Sequence, residues 1–365
     1  MITIDTRWLK TSGIGTYLQN IVPGIIAAFP KQIFCLIGKL EEMEQYGLLS
    51  GENVHPVSSA APMYSLREQV EIAGKIPKTT QLYFATHYNI PLLYRGRMLV
   101  TVYDLFHLAM PGLVGGLRKS AYARFMFNAV RWKADAIIAI SKFTRDELIR
   151  YTGAGRQEIY PIHLGVDKSW FDIRKTQNPH RRPFLLYVGN VKPHKNLQAL
   201  VRAFALIADQ TNHDLLIVGK KEGFITGDEA SSMEAAKLEG RVHFTGHVSD
   251  ELLKQYVAHA EALVFPSLYE GFGLPPLEAM AAGCPVIASS VASLPEVCGD
   301  AVLYCDPYQP RDIASRILEL LGDEAARREL RLKGSARARK FTWETCVQET
   351  CAIIEGLLSD CRTPP

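Results

Sequence analysis

The 365-residue chain lacks the signals of several large classes of protein. The apolar run from Ala136 to Ile140 is far too short to span a bilayer. Low-complexity segments and obvious internal repeats are absent, and Met1 leads directly into a strand-like pattern rather than into a signal peptide. With a hydrophobic content of 47%, the composition predicts a soluble globular protein that has a sizeable core.

Cysteine motifs are missing as well. The seven cysteines are scattered, odd in number and without any C-x-x-C pair. They stand at positions 35, 284, 298, 305, 346, 351 and 361. This pattern predicts reduced thiols in a cytoplasmic protein, rather than a disulfide framework or a zinc site.

The net charge is only +3, but the positive and negative residues are unevenly distributed along the chain. Residues 1–178 hold 21 lysines and arginines against 14 acids, and the excess concentrates in residues 117–133, where no acid occurs. That stretch contains the cations Arg118, Lys119, Arg124, Arg131 and Lys133 and the aromatic residues Tyr122, Phe125, Phe127 and Trp132. A helix here would either lie on an anionic membrane surface or pack its aromatic side chains into the core. Since no nucleic-acid-binding motif accompanies it, we expect no nucleic-acid partner.

Strand-like runs alternate with helical patterns along the chain, which predicts an α/β protein with parallel sheets flanked by helices. The predicted strands lie near residues 1–5, 33–37, 81–85, 98–103, 136–139, 184–188, 214–218, 242–245, 262–266, 286–288 and 301–304. Short, apolar strands are typical of doubly wound sheets. Two such Rossmann-like domains facing each other would place a ligand at the carboxyl ends of the strands, in the cleft between them.

A polar segment interrupted by prolines, residues 168–183, predicts the linker between the two domains. We place the boundary at residue 178, so the first domain covers residues 1–178 and the second covers 179–345. The last part, 346–365, lies largely within a predicted amphipathic helix that runs from Trp343 to Leu358.

The most informative segment runs from residue 266 to residue 285 and combines a glycine turn, a helix start and two carboxylates. Gly273 permits a tight turn, and the two prolines that follow Leu274 suit the first turn of a helix. The free N–H groups of such a helix start bind an anion, most naturally a phosphate. Glu270 precedes this anion site and Glu278 lies about one turn inside the helix. One carboxylate can therefore address the group next to the phosphate, and the other can reach hydroxyls on its far side.

This segment resembles the Glu-x7-Glu signature of glycosyltransferase family 4, whose members are retaining enzymes of the GT-B fold. The resemblance implies two Rossmann-like domains facing across a cleft, with acceptors bound by the first and a nucleotide sugar by the second. It also implies that the last helix crosses back to the first domain. In this family Glu270 would bind the sugar, the N–H groups of Gly273 and Leu274 would bind the diphosphate, and Glu278 would bind the ribose.

Two further segments of the second domain resemble motifs of the same family. Lys195, with Lys192 as a second cation, would stabilise the charge of the leaving diphosphate. Gly246 begins a loop in which the backbone of Val248 would contact the nucleotide base. No Asp-x-Asp pair occurs in the chain, although metal-dependent sugar transfer usually uses one to hold a divalent ion. We therefore expect neither a metal nor another cofactor.

In the first domain the resemblance is looser. Gly13 and Gly15 resemble the family's first glycine loop, which would face the donor phosphates and the acceptor. Leu18 stands where a dinucleotide-binding motif would need a third glycine. The family commonly carries His-Asp at the end of a strand, near the reacting centre, and this chain has Tyr103 and Asp104 there, so the resemblance implies that these two, with Glu270, are the catalytic residues. Tyrosine is a poor proton shuttle at neutral pH, so His107 is a substitute to consider.

Candidate acceptor contacts in the first domain come from two further segments. His87 and Asn89 follow a strand at a turn that would face the cleft, and Arg67 lies in another segment that resembles the family. His107 is a fourth candidate for acceptor binding. Ordinary surface positions remain the alternative for each of them.

Taken with the resemblance, the sequence predicts a retaining, metal-independent hexosyltransferase, with GDP-mannose as the first donor to test. The acceptor would be a saccharide, polyprenyl-linked, in cell-surface polysaccharide or lipopolysaccharide O-antigen synthesis. The expected location is the cytoplasm, with peripheral contact at the inner face of the cytoplasmic membrane. The alternatives are a non-catalytic glycan-binding or partner protein of the same fold, a sugar-nucleotide epimerase, and a phosphorylase, which would need a pyridoxal-phosphate lysine.

Overall fold

The computed structural model describes residues 1–113, 116–153, 155, 157–219, 238 and 240–359. They form two compact units, one made of Met1–Gly165 with the chain from Trp343 onward, and the other of Val166–Thr342. No helix among these residues is long and apolar enough to cross a membrane.

The first unit is built on a seven-stranded parallel sheet. Its strands are β1 (Ile2–Asp5), β2 (Phe34–Gly38), β3 (Val54–Ser58), β4 (Leu82–Ala85), β5 (Met98–Val102), β6 (Ala136–Ala139) and β7 (Ile159–Pro161). Its helices up to the end of the sheet are α1 (Ile14–Ala28), α2 (Leu40–Gln45), α3 (Leu66–Lys75), α4 (Phe106–Ala109), α5 (Leu117–Lys133) and α6 (Lys142–Thr152). The strand order is β3-β2-β1-β4-β5-β6-β7.

The second unit repeats this plan with six parallel strands. They are β8 (Phe184–Val188), β9 (Asp214–Val218), β10 (Val242–Gly246), β11 (Ala262–Phe265), β12 (Val286–Ser289) and β13 (Leu303–Cys305). Its helices are α7 (Leu197–Ile207), α8 (Asp250–His259), α9 (Leu274–Ala281), α10 (Leu294–Cys298), α11 (Pro310–Gly322) and α12 (Glu324–Ala338), and α13 (Trp343–Ser359) completes the chain. The strand order is β10-β9-β8-β11-β12-β13.

In both sheets the strand order reverses beside the first strand of the unit. In the first sheet Ile2 pairs with Phe34 of β2 on one side and with Leu82 of β4 on the other. β8 is flanked in the same way by β9 and β11. Ligands of open α/β sheets bind at such a switch point, outside the carboxyl ends of the strands. The fold therefore points to the loops after β1 and β4, and to those after β8 and β11.

The predicted pair of Rossmann-like parallel sheets is confirmed, and each predicted strand is present with its ends shifted by two residues at most. The sequence missed β3 and β7, which are the two edge strands of the first sheet. Each contains a proline, Pro56 in β3 and Pro161 in β7. Proline makes a segment look unlike a strand in the sequence, although edge strands tolerate it.

The division into units differs from the predicted boundary at residue 178, because the stretch after Val166 packs on the second unit. The ammonium group of Lys254 lies 5.7 Å from the ring centre of Trp170 and donates a 2.7 Å hydrogen bond to Ser169 Oγ. The backbone N–H and the hydroxyl of Thr176 both donate to Gln255 Oε1 at 3.0 Å. The second unit thus begins at Val166.

Helix α13 begins at Trp343, before the predicted start of the last segment at 346, and packs on the first unit. Its Trp343 ring lies 6.4 Å from the ring of Tyr17 in α1. Gly24 of α1 faces Val347, whose side chain would be 2.5 Å from a Cβ added at the glycine. The described cysteines are all free and buried, and Cys361 lies outside the described residues.

The aromatic side chains of the basic segment are divided between the core and the surface of α5, so the prediction that they pack into the core holds for only part of the helix. Phe127 is fully buried, and Tyr122 is half-buried with its hydroxyl bound to Asn89 Oδ1. Phe125 and Trp132 are instead 52% and 75% exposed. Among the cations, Arg118, Lys119 and Arg124 are exposed, Arg131 is buried, and Lys133 is half-buried and donates to the backbone carbonyl of Tyr94 at 2.7 Å.

Candidate functional site

The switch point of the second sheet carries an ion pair between the loops that follow β8 and β11. Lys195 Nζ donates to both carboxylate oxygens of Glu270, at 2.6 and 2.8 Å. The side chains are only 19% and 11% exposed, so water screens the pair weakly. Two predicted site residues from distant parts of the chain therefore lie together at the position where ligands of this sheet type bind.

The backbone after β8 is shaped to hold Lys195 in this position. Residues Pro193–Lys195 form a short 3-10 helix, and Asn196 then adopts a left-handed conformation with φ of 59°. Asparagine tolerates this conformation better than most residues. Its side-chain amide donates to the carbonyls of Pro266 at 3.0 Å and Pro307 at 2.7 Å, which ties the β8 loop to the end of β11. Lys192, three residues earlier, is exposed, and no ion pair between it and Glu270 is formed.

The start of α9 offers two backbone N–H groups to an anion. Among the described residues, the N–H groups of Gly273 and Leu274 have no hydrogen-bond acceptor, and no side chain caps the helix. Pro275 and Pro276 follow and have no N–H group. Gly273 has φ of 113°, and a Cβ there would lie 2.6 Å from the Leu294 side chain, so this position requires glycine. The arrangement suits a phosphate group close to Glu270, which lies three residues before Gly273 and is paired with Lys195.

Glu278 lies one turn further along α9 in a different electrostatic environment. It is half-buried, and burial raises its pKa to about 8, with further contributions from the charges of Asp250 and Asp167. Lys254 of α8 opposes this shift. The two acids of the signature therefore differ, since Glu270 faces a lysine whereas Glu278 lies near other acids.

The loop after β10 lies beside α8, which supplies two of the groups near Glu278. Gly246 has φ of 73°, and its carbonyl accepts the N–H of Gly219 at 3.0 Å. Two residues after Gly246 comes Val248, and Ser249 then caps α8 by accepting the N–H of Leu252 at 3.3 Å. The predicted base loop and the predicted ribose acid are thus in one region of the unit, because Asp250 follows Val248 closely.

Two buried hydroxyl groups next to the Lys195–Glu270 pair were missed by sequence reasoning. Tyr187 Oη and Ser267 Oγ are buried, and neither has a hydrogen-bond partner among the described residues. Tyr187 lies near the end of β8, and burial followed by the charge of Glu270 raises the pKa of its phenol. A buried hydroxyl without a partner is costly, so a bound ligand is a natural partner for both. Their position at strand ends beside the motif was the available signal.

The switch point of the first sheet holds a buried polar cluster of five residues. Arg7 donates to Asp5 through Nε at 2.9 Å and Nη2 at 2.6 Å, and to Glu68 through Nη1 at 2.5 Å. Glu68 also accepts the side-chain amide of Asn89 at 2.7 Å, and Asn89 Oδ1 accepts the hydroxyl of Tyr122. Only Asn89 of these was predicted, because the others become neighbours only when β1, α3, β4 and α5 come together.

His87 belongs to the same region but is not a proton carrier. Its ring stacks on Trp8 with centroids 4.0 Å apart, and its Nδ1 accepts the N–H of Asn89 at 3.1 Å. Burial lowers its pKa to about 3, and the charges of Arg7 and His107 add to the effect. The ring is therefore neutral at physiological pH and forms part of an aromatic wall.

The pair at the end of β5 is divided between core and loop. Tyr103 is buried with its ring 5.7 Å from that of Tyr17, and its hydroxyl has no partner among the described residues. Burial raises its pKa well above 10, in line with the expectation that a tyrosine at this position is a poor proton shuttle. Its catalytic role stays a prediction. Asp104 accepts the N–H of Phe106 at 3.0 Å, and its charge contributes to raising the pKa of Tyr88 after burial.

The remaining predicted residues of the first unit lie apart from the polar cluster or serve its framework. Gly15 donates its N–H to Thr11, and a Cβ there would lie 2.3 Å from the carbonyl of Leu9, so its glycine is needed for packing. Gly13 precedes α1 with φ of 76°. Arg67 is 69% exposed and pairs with Glu71, so it points away while its neighbour Glu68 is buried. His107 lies in α4, with its ring 6.5 Å from that of Tyr88.

Comparison with known proteins places this arrangement in context. Residues 168–341 match the model of the family described as glycosyl transferases group 1. This range lies within the second unit, which carries the Lys195–Glu270 pair and the α9 N-terminus.

The chain is 35% identical to O-antigen chain mannosyltransferase B of Escherichia coli over 241 residues, which cover 62% of this chain and 63% of the relative. It is 33% identical over 227 residues to the serotype-specific mannosyltransferase WbdA of Escherichia coli, covering 58% of this chain and 27% of the relative. The matches thus span less than two thirds of the length of these relatives.

Solved structures share the fold over nearly the whole chain. Sucrose-phosphate synthase from Thermosynechococcus elongatus superposes with a TM-score of 0.78 at 20% identity, covering 98% of this chain and 99% of the other. Anabaena HepE in complex with UDP and glucose superposes with a TM-score of 0.75 at 19% identity, covering 97% and 99%. At such identities the likeness concerns the fold, and it confirms the predicted GT-B class.

Proposed function

We propose that the protein transfers a hexose from a nucleoside-diphosphate sugar to an acceptor hydroxyl, because residues 168–341 match the model of the glycosyl transferases group 1 family. The observation that carries the proposal is the Lys195–Glu270 pair at the switch point, next to the free N–H groups of Gly273 and Leu274. At the carboxyl ends of the strands these groups supply a cation, two hydrogen-bond donors and a carboxylate. A sugar diphosphate needs the cation and the donors at its phosphates, and the carboxylate at its sugar hydroxyls.

The ion pair also suggests how the donor is received. A diphosphate that approaches the α9 N-terminus competes with Glu270 for the ammonium group of Lys195. Once Lys195 binds the phosphate, Glu270 is released to accept hydrogen bonds from the hexose. As the bond to the sugar breaks, negative charge grows on the leaving diphosphate, and Lys195 stabilises it more strongly in the transition state than in the ground state. This chemistry requires no divalent ion, so transfer is proposed to be metal-independent and, as in the resembling family, retaining.

We assign acceptor binding to the polar cluster of the first unit. Glu68 and Asn89 are hydrogen-bonded to each other next to the rings of Trp8, His87 and Tyr64, and Tyr64 is 48% exposed. Saccharides bind to such mixtures, since their hydroxyls need polar partners and their C–H faces pack on aromatic rings. The Nε1–H group of Trp8 is buried without a partner among the described residues and is a donor for an acceptor hydroxyl.

Mannose from GDP-mannose is the proposed donor chemistry, and a lipid-linked saccharide of a surface polysaccharide is the proposed acceptor. The support comes from two relatives named as mannosyltransferases, of which one acts on the O-antigen chain by its name. The HepE structures contain UDP and UDP-glucose, so uridine nucleotides are the natural competitors in a test.

The donor is identified by thermal stabilisation with GDP-mannose, GDP, UDP-glucose, ADP-glucose and dTDP-glucose, with EDTA present. We expect GDP-mannose to raise the melting temperature most, since a ligand at 100 times its Kd adds about 2.7 kcal/mol to folded-state stability. The same shift without EDTA supports metal independence.

A transfer assay tests the reaction. Labelled mannose is transferred to a lipid extract from a polysaccharide-producing strain, and NMR checks that the anomeric configuration is retained. A cooperative melt that no nucleotide shifts would instead favour a non-catalytic binding protein.

We also propose that the exposed side of α5 contacts an anionic membrane. Phe125 and Trp132 are seven residues apart, so they share one side of the helix with Arg118. Lys119 and Arg124 are exposed nearby. Aromatic and basic side chains exposed together are typical of helices that lie at a lipid interface, where each cation contributes about 1 kcal/mol.

Vesicle binding tests this contact. We expect the protein to sediment with vesicles containing anionic phosphatidylglycerol and less with neutral ones, and the double variant Phe125→Ser/Trp132→Ser to lose most of this binding. The variant Leu332→Ser is a matched control, because Leu332 is 70% exposed in the second unit. Equal binding of both variants and the wild type would contradict the proposal.

A further inference from the structure

A cluster of two histidines and one aspartate lies at the amino-terminal ends of β8, β9 and β10. The donor loops, which are the loops after β8 and β11, lie at the opposite ends of the strands. His180 precedes β8, Asp214 is the first residue of β9, and His243 is the second residue of β10. β9 is five residues long and strands rise about 3.3 Å per residue, so Asp214 lies roughly 13 Å from the end that carries the donor loops. None of the groups proposed for sugar transfer is part of this cluster.

The ligand atoms of these three side chains converge. His180 Nε2 is 2.7 Å from Asp214 Oδ2, and His243 Nε2 is 3.3 Å from the same oxygen. All three atoms lie within 4.8 Å of one another, and the two imidazole rings are 4.9 Å apart. In a tetrahedral zinc site, bonds of 2.0–2.2 Å place the ligand atoms roughly 3.3 Å apart. Small side-chain adjustments therefore suffice to seat one ion among them.

The surroundings of Asp214 orient it for this role. Its side chain is 3% exposed, and its other oxygen, Oδ1, accepts the Nε–H of Arg241 at 3.0 Å. The remaining guanidinium nitrogens of Arg241 donate to the carbonyls of Ala208, Thr211 and His213, which fixes the arginine. Hydrogen bonds from an outer group to a ligating carboxylate are typical of metal sites, and here they turn Oδ2 toward the two imidazoles.

The cluster is open to solvent on its histidine side. The side chains of His180 and His243 are 18% and 38% exposed, so an ion can enter and a water molecule can complete the coordination. The nearby cations Arg241 and Arg182, the latter 3.6 Å from Asp214 Oδ1, repel an incoming ion. The affinity should therefore be lower than that of a cysteine-rich structural zinc site.

We propose that His180, Asp214 and His243 form a binding site for one Zn²⁺ ion or a related transition metal ion. Imidazole and carboxylate ligands in this number suit zinc. The ion would join the segment before β8 to the first residues of β9 and β10. Its role is structural, as a clip that holds the start of the second unit to its sheet, and it is independent of the proposed sugar transfer.

Metal binding to the full-length protein, without an oligohistidine tag and after removal of chelator, tests this site. Zn²⁺ affinity and stoichiometry are measured by competition with a chromophoric chelator, and Co²⁺ binding by visible absorption. We expect one equivalent of Zn²⁺ and an intense, tetrahedral-type Co²⁺ spectrum. His180→Ala and His243→Ala should each weaken Zn²⁺ binding at least about tenfold. His55→Ala is the matched control, because His55 is exposed on β3 of the first unit, and it should bind like the wild type.

The result is decisive in either direction. Weaker binding in both variants, with circular dichroism spectra like that of the wild type, supports the site. Lack of saturable one-equivalent binding by the wild type, or wild-type affinity in either histidine variant, overturns it. Nucleotide-induced stabilisation of the same variants should be unchanged, since neither histidine touches Lys195 or Glu270. A failure of the zinc site is thereby distinguished from a failure of the proposed transferase function.

Discussion

The two acids of the segment 266–285 have different surroundings. Glu270 accepts two hydrogen bonds from the ammonium group of Lys195, at 2.6 and 2.8 Å. Glu278 lies among other acids and is shielded from water, which favours the neutral acid. One contiguous motif therefore supplies an ion pair and a carboxyl group with a high pKa. A bound ligand would use the two acids differently.

Replacing Lys195 by alanine tests the role of the Lys195–Glu270 ion pair. We expect Lys195→Ala to lower kcat/KM for the donor by about 10²–10³-fold, the range seen when one transition-state donor is removed. The matched control is Lys192→Ala, three residues earlier and exposed, which should cost less than about tenfold. Steady-state transfer assays measure both. A larger loss in Lys192→Ala than in Lys195→Ala would show that the wrong lysine has been assigned.

The pKa of Glu278 predicts how stability depends on pH. Its folded-state pKa is about 8 against 4.5 in its ordinary state, so the folded protein holds this proton more tightly. The stabilising contribution is complete below pH 4.5 and is lost as the pH rises toward 8. Glu278→Gln removes this loss, so at pH 8.5 it should exceed the wild type by on the order of 2 kcal/mol in free energy of unfolding, and at pH 4.5 the two should be similar.

Urea unfolding of the free protein at both pH values measures this difference. Glu324→Gln is the control, since the side chain of Glu324 is 76% exposed on α12 and should give the same difference from the wild type at both pH values. A Glu278→Gln variant whose advantage does not grow with pH would contradict the raised pKa.

At the scale of elements, what the sequence reveals depends on whether the partners are close along the chain. The turn at Gly273 and the helix start at Leu274 follow from local residue chemistry and are present in the structure. The cluster around Arg7 and Glu68 required knowledge that β1 pairs with β4 and that α3 lies beside them. The strand order of a sheet is a long-range property, so a single sequence contains no local signal for it.

The packing of α1 on α13 gives a prediction at this scale. A Cβ at Gly24 would meet the branched Val347 side chain at 2.5 and 2.9 Å, so Gly24→Ala should separate the two helices. We expect a loss of about 1–3 kcal/mol, the usual cost of overpacking. Gly356→Ala, in α13 itself and open to solvent, should instead gain about 0.5–1 kcal/mol, because alanine favours a helix. Thermal and urea unfolding measure both, and equal effects of the two substitutions would contradict the packing.

At the scale of the whole molecule, each unit repeats one plan and places polar groups at the same topological position. In the first unit Arg7, after β1, and Asn89, after β4, both donate hydrogen bonds to Glu68 of α3. In the second unit the loops after β8 and β11 present a lysine, a carboxylate and free N–H groups. The family match covers the second unit alone. Nucleotide recognition is therefore expected to be a property of the second unit by itself.

Two fragments of the second unit test this expectation together with its boundary. The fragment 166–342 keeps the contacts of Trp170 and Ser169 with Lys254 and those of Thr176 with Gln255, whereas 179–342 follows the boundary expected from the sequence and lacks them. A cation–π contact and three hydrogen bonds are worth about 2–4 kcal/mol together. We therefore expect 166–342 to melt several degrees higher and to be stabilised by the same nucleotide as the full chain, without catalysing transfer. Equal melting temperatures of the two fragments would show that these contacts do not stabilise the segment. If the folded fragment 166–342 binds none of the nucleotides that the full chain binds, donor binding needs the first unit.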